Sequence, residues 1–233
     1  MIYWFKWGNV SCRDMGIRLQ SMPEIVRPEE RVTHITIPGR SGELTMTEGE
    51  NIFNSYIQTV PLIVYTESAV RAAERWLRGE DYVIFSGQED LMQKARVINA
   101  VTFKKSGRNS DWWSAEVQFY CEPLKQKVTT EADIEVTESG TTITNPGDVT
   151  SRPKIVITGS GSITISAGGK SISLTGIESG MAVDSDTGWV LKNGQAQMGV
   201  YTGNFPELKP GDNTILFTGD VSKLTITPRW RYL

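Results

Sequence analysis

One histidine, His34, and two cysteines, Cys12 and Cys121, are the whole stock of imidazole and thiol in these 233 residues. A nucleophilic triad needs a base within hydrogen-bond reach of a serine or cysteine, and His34 is the only imidazole available. No G-x-S-x-G elbow accompanies it, since "GRSGE" at 39–43 lacks the closing glycine. A zinc site needs several close nitrogen or sulfur ligands, which this set cannot supply. Two distant cysteines make no framework of bridges, and they are expected as small, reduced, buried hydrophobes. No apolar run reaches the length of a membrane span, and the aromatic start "MIYWFKWGNVSC" has neither the basic opening nor the continuous apolar segment of a signal peptide. Asn9-Val10-Ser11 is accordingly expected to be an incidental sequon. Basic excess is absent too. A net charge of −3 gives no pull toward nucleic acid or an anionic membrane, and "KKSGR" at 104–108 is expected to be a solvated turn between strands.

What is present is the composition of an ordinary globular protein, 39% hydrophobic and 22% charged, in two stretches of different grammar. Residues 1–127 contain one good helix pattern, "TESAVRAAERWLRG", with the helix expected at about 67–78. Ala69, Ala73, Trp76 and Leu77 share a face, Thr66 or Ser68 can cap the start, and Gly79 can close the end. Glu74 and Arg78 are spaced for an exposed pair. Around the helix lie strand-like runs: "VPLIVYT", "YVIFSG", "KARVINAVTF" and "WWSAEVQFY". This predicts an α+β domain with a single helix packed on a sheet or partly open barrel. From 128 to 233 Ser, Thr and Gly alternate with aliphatic residues. Ile155, Ile157, Ile163, Ile165, Ile172 and Leu174 recur at period two, with glycine-rich turns expected between the runs. Further strands are expected at "MAVDSD", "GWVLK", "NTILFTG" and "KLTITP". That pattern predicts an antiparallel sandwich, joined to the first domain through the acidic stretch "VTTEADIEVTESG". The fold class is thus mostly β.

Motifs with possible chemistry are few. "AGGKS" at 167–171 ends like a phosphate loop, but Thr164 occupies the place of its first glycine and strands flank both sides, so a hairpin turn is expected. Asp184 and Asp186 in "VDSDTG" are candidate oxygen ligands for calcium, without the full loop pattern; the competing reading is a turn at Asp186–Gly188. Paired carboxylates for a glycosidase leave a hydrolase as the weakest reading. No metal and no cofactor are expected. Of seven tryptophans, Trp112, Trp113, Trp189 and Trp230 fall near predicted strand ends. Trp189 and Trp230 are candidates for stacking on a sugar or for anchoring a protein interface, core filling being the common fate.

One stretch asks more. "THITIPGRSGELTMTEG", 33–49, is a β-like run, a Pro-Gly-Arg turn, a second glycine and a resumed β-like run. An anion loop and a turn between strands both fit it. Pro38 and Gly39 set the turn, Gly42 permits a second bend, and Arg40 is left to pair with a carboxylate. This segment, followed in order by "NIFNSYIQTVPLIVY" and the helix with "RWLRG", resembles the distal tail (Dit) protein family of long-tailed bacteriophages. The stretch "NPGDVTSRPKIVITGSGSITISAGG" is similar to the opening of that family's second domain. The C-terminal "GNFPELKPGDNTILFTGDVSKLTITPRWRYL", with its terminal Pro-Arg-Trp-Arg, is similar to its closing run.

The resemblance implies a non-enzymatic virion protein of the phage tail tip, assembled in the bacterial cytoplasm. Its N-terminal domains would form a homo-hexameric ring joining the tail tube protein to the tail-tip, or tail-associated lysin, protein. The hole would stay open for DNA and the tape-measure protein, and galectin-like or carbohydrate-module-like C-terminal sandwiches would hold receptor-binding proteins. Pro38, Gly39, Arg40 and Gly42 become a signature turn or assembly contact. The alternative is a lectin-like protein recognising host cell-surface glycans through the sandwich. Neither reading involves sequence-specific nucleic-acid binding or membrane insertion.

Overall fold

The structure, a computed structural model, describes residues 3–107 and 111–233. The first two residues of the aromatic start and Arg108 of the basic cluster lie outside the described residues. The chain divides into two compact units, residues 1–128 with Leu233 and residues 129–232.

The first unit runs β1 (Phe5–Trp7), β2 (Val10–Ser11), β3 (Ile17–Leu19), β4 (Val32–Thr36), β5 (Glu43–Thr47), β6 (Tyr56–Val64), α1 (Glu67–Trp76), β7 (Glu80–Phe85), β8 (Leu91–Val97), β9 (Lys104–Lys105), β10 (Trp113–Cys121) and β11 (Gln126–Lys127). Seven of these strands lie in the hydrogen-bonded order β2-β1-β7-β8-β10-β6-β3, with β9 beside β10 and β11 beside β8. The edges curl toward one another: the Cys12 carbonyl, just past β2, accepts from the Ile17 amide of β3 at 2.9 Å. Alternation decides the two faces. Val60, Leu62 and Val64 on β6 and Val117, Phe119 and Cys121 on β10 point inward and are buried, while Ile57, Thr59, Glu116 and Tyr120 point out.

Helix α1 covers the inner face with Ala69, Val70, Ala73 and Leu77. The Thr66 Oγ1 accepts from the Ala69 amide at 3.2 Å, satisfying one of the first-turn donors. Trp76 stacks on Phe5 with centroids 5.5 Å apart. The helix stops at Trp76 because Leu77 leaves the helical region (φ −79, ψ 72) and Gly79 takes φ 78. Arg78 is therefore off the helix, and the exposed pair is Glu67 with Arg71 at 2.6 Å, not Glu74 with Arg78.

The second unit runs β12 (Ile134–Val136), β13 (Thr141–Asn145), β14 (Lys154–Ala167), β15 (Lys170–Ile177), β16 (Ala182–Asp184), β17 (Trp189–Lys192), β18 (Gln195–Gln197), β19 (Tyr201–Gly203) and β20 (Gly211–Thr227). Two results depart from the sequence pattern. "GSGS" at 159–162 is no turn between strands; it lies inside the 14-residue β14. Likewise "NTILFTG" and "KLTITP" are one 17-residue strand, β20. The two long strands pair along their length with register shifts at Thr158/Gly159 and between Ser160 and Thr164. The bend is possible because Gly159 and Gly219 let the backbones touch. A Cβ on Gly159 would collide with the Asp220 carbonyl, and one on Gly219, at φ 102, with the Ser162 carbonyl. Beyond the bend, β14 exchanges its neighbour β16 for β15, and β20 has β12 at one end and β13 at the other. Both halves close over a single core that includes Ile155, Ile157, Ile163, Ile165, Ile215, Leu224 and Ile226. The result is a β-sandwich made by bending one sheet. "VTTEADIEVTESG" is not all junction, since β12 forms within it and pairs with β20. At "AGGKS" the chain makes a tight hairpin, with Gly168 at φ 62 and Gly169 at φ 83 between β14 and β15.

Candidate functional site

Strands β4 and β5 pair only with each other, through Val32↔Thr47, Thr33↔Met46, His34↔Thr45, Ile35↔Leu44 and Thr36↔Glu43. Below them the ribbon is tied down. Glu30 bridges to Phe53, the Arg31 amide donates to the Ile52 carbonyl at 2.8 Å, and the Asn54 amide donates to the Glu29 carbonyl at 2.8 Å. Phe53 is buried, and Arg31 reaches Asn54 Oδ1 at 3.2 Å and Glu48 at 3.8 Å.

Period two gives the hairpin two faces of opposite character. One carries His34, Thr36, Glu43 and Thr45, joined by a 3.2 Å contact between Thr45 Oγ1 and His34 Nδ1 and a 3.4 Å bond from Thr36 Oγ1 to Glu43. The other carries the directly opposed Ile35 and Leu44, with Met46 and Thr33 beside them. Ile35, Leu44 and Met46 are 39%, 40% and 52% exposed, and Ile37 in the following loop is 37% exposed. An amphipathic strand pair normally buries its apolar face, and a lone two-stranded ribbon is marginal in water. Here the apolar face has no cover within the described chain.

At the tip, Pro38, Gly39, Arg40 and Gly42 come together in one bend. The Arg40 amide donates to the Ile37 carbonyl at 3.2 Å, closing a turn through Pro38 and Gly39. Gly39 and Gly42 take φ 83 and 82 with open space around them, so backbone conformation alone requires glycine there. Among the described residues the Arg40 guanidinium has no ion-pair partner. His34 is exposed on the polar face, where its Nδ1 meets only the Thr45 hydroxyl and, at 3.8 Å, the Glu43 carboxylate, on an open ribbon.

The remaining candidates separate. Trp230 is 7% exposed and belongs to the core of the second unit, so its ring offers no face to a sugar. Trp189, on β17, is 40% exposed. Asp184 and Asp186 are not gathered for a cation. Asp184 is buried, accepts from the Asp186 and Thr187 amides at 3.1 and 3.4 Å, and takes both Arg229 nitrogens at 2.7 and 3.0 Å. Burial opposes its charge, but the Arg229 hydrogen bonds and charge, helped by the turn amides, outweigh it and hold the carboxyl below its usual range. The pair fixes the turn between β16 and β17 and the C-terminal "PRWR", where Arg229 sits at φ 55. Among the described residues no group of three or more His, Cys, Asp or Glu side chains could hold a metal ion. Burial pushes Cys12 up and Cys121 up to about 12, so neither thiol supplies a thiolate near neutral pH.

The apolar face of the hairpin escaped the sequence reading, which saw only the turn. Its signal was the alternation of Thr33, Ile35 and Ile37 against Leu44 and Met46.

Comparison with known proteins gives a fold and no more. No protein-family model matches the sequence, and no curated protein does. Among solved structures, the crystal structure of the SPP1 Dit protein, described as a paradigm of the hub adsorption apparatus in phages infecting Gram-positive bacteria, matches with a TM-score of 0.78 and 19% identity, covering 100% of both chains. From end to end, the chain has the fold of SPP1 Dit.

Proposed function

We propose that the protein is a structural component of a phage tail, a distal tail hub that closes into a homo-hexameric ring between the tail tube and the tail-tip protein. The observation that carries the reading is the β4–β5 hairpin, a tethered arm with an uncovered apolar face, on a chain with the Dit fold. An arm of this kind gains by packing against another subunit, and a ring requires such heterologous contacts, in which one face of a subunit meets a different face of the next. Burying the remaining exposed area of Ile35, Ile37, Leu44 and Met46 is worth about 1 kcal/mol per side chain, or about 4 kcal/mol per contact before ordering costs. The first unit supplies the ring, and the sandwich is left to carry adsorption components.

The test is the mass of the purified protein in solution. Light scattering should give about six times 25.9 kDa, rising with concentration, and electron microscopy should show rings with an open centre. A strict monomer at high concentration, in the presence of the tail tube and tail-tip proteins as well, would sink the proposal.

A further inference from the structure

The ring reading leaves open which surface receives the hairpin. Resting on that reading, we propose that the outer face of the sheet in the first unit, along β10 and β6, is the dock for the β4–β5 hairpin of a second copy, with Arg40 of the hairpin paired to Glu116 of the dock.

The inner face of this sheet lies under α1; on the outer face Ile84 of β7 is buried, but along β10 and β6 Ile57, Thr59, Glu116 and Tyr120 are exposed. At its centre Tyr120 on β10 stands directly opposite Ile57 on β6, 47% and 53% exposed. Ile98, whose amide donates to the Gln118 carbonyl, adds a third exposed apolar side chain beside them. The hairpin offers a matching set in Ile35, Leu44 and Met46. Each chain therefore carries two unlike apolar strips, as a heterologous contact requires.

Charge sets the direction. Tyr120, Gln118 and Glu116 follow one another on the same face of β10, so Glu116 stands about 13 Å from Tyr120 along the strand. Leu44 and Arg40 are also four residues apart, and the same rise puts Arg40 within about 13 Å of Leu44 toward the tip. With Leu44 and Ile35 seated over Tyr120 and Ile57, Arg40 falls over Glu116. Among the described residues neither of these charges has an ion-pair partner. The Glu116 carboxylate accepts only from the Gln118 amide group, at 3.2 Å, and makes no ion pair among the described residues. Lys104, opposite Ser114 on β9, makes no ion pair with it. Glu80, Lys94, Arg96 and Glu122, on the same face, already satisfy one another in ion pairs of 2.6 to 3.9 Å, and Arg18 on β3 lies over the Tyr65 ring at 5.5 Å. Two ribbons packed in this way form an aligned pair of layers, about 10 Å apart.

Charge reversal tests the dock, read by sedimentation velocity over a concentration series. Arg40→Glu alone and Glu116→Arg alone should each raise the concentration for half-assembly at least tenfold without lowering the Tm. Combining them, Arg40→Glu with Glu116→Arg, should restore most of the loss. As a second probe, Tyr120→Ser should weaken assembly without lowering the Tm. If the native protein forms rings and the single reversals leave them unchanged, or the double reversal adds the two losses without rescue, the dock is wrong and the ring stands. If the native protein forms no ring under any condition, the ring reading fails and the dock falls with it.

Discussion

Replacing Ile35 and Leu44 with threonine isolates what the hairpin does. Threonine keeps the strand preference of the ribbon and removes most of its apolar reach. The two side chains are 39% and 40% exposed and stand opposite each other, so truncating them also costs the ribbon the packing they already have on its own surface. Full burial of an aliphatic side chain is worth about 1.5–3 kcal/mol, so covering the remaining two-fifths of each is worth about 1 kcal/mol, and about 2 kcal/mol for the pair. A subunit leaving a closed ring breaks two contacts, which doubles the loss to about 4 kcal/mol, or a factor of about 1,000 in the equilibrium. Sedimentation velocity across a hundredfold concentration range should show the double variant as a monomer where the native chain is assembled. Its monomer Tm should fall by several degrees at most, the cost of the packing within the ribbon. The effect should persist in high salt and weaken on cooling, as an apolar contact does. Undiminished assembly would refute the argument. So would a large loss of monomer stability, because the strip would then be packing within its own chain.

Three further outcomes follow from the same geometry. Arg40→Ala should raise the concentration for half-assembly while leaving the circular dichroism spectrum and Tm unchanged; rings of unchanged stability would leave Arg40 a solvated turn residue. Asp184→Asn strips the partner from a partly buried Arg229 and should cost about 2 kcal/mol, several degrees in thermal unfolding at pH 7. Because the folded carboxyl sits below its ordinary value, that stability is fully present above about pH 5 and is lost as the pH falls through the folded pKa. The gap between native and variant Tm should therefore shrink on acidification, and a gap that widened would contradict the pair. Gly219→Ala forces a Cβ onto the Ser162 carbonyl at φ 102 and should destabilise the protein by more than about 1 kcal/mol in urea melts, whereas Gly211→Ser, at φ 84 but with open space at the start of β20, should cost less.

The sequence by itself determined the local grammar. Period-two alternation placed Ile155, Ile157, Ile172 and Leu174 on one face of their strands, and the 3.6-residue spacing with Thr66 as cap marked α1, because these are short-range consequences of where side chains point. The order of its turns and strands was enough to carry the resemblance to the Dit family, and the full-length fold match agrees with it. Three matters depended on residues far apart in the chain. Gly159 and Gly161 look like a turn until β20 lies alongside, and the close approach of Gly159 to Asp220 and Val221 makes the stretch a bend within one strand. Trp189 and Trp230 have the same chemistry in the sequence, yet the C-terminal segment held by Arg229 and Asp184 carries one ring into the core while β17 leaves the other in water. The "THITIPGRSGELTM" stretch announces a strand, a turn and a strand, and period two even announces an apolar face. Whether that face is buried by its own chain is a question of tertiary packing, and the fold leaves it bare.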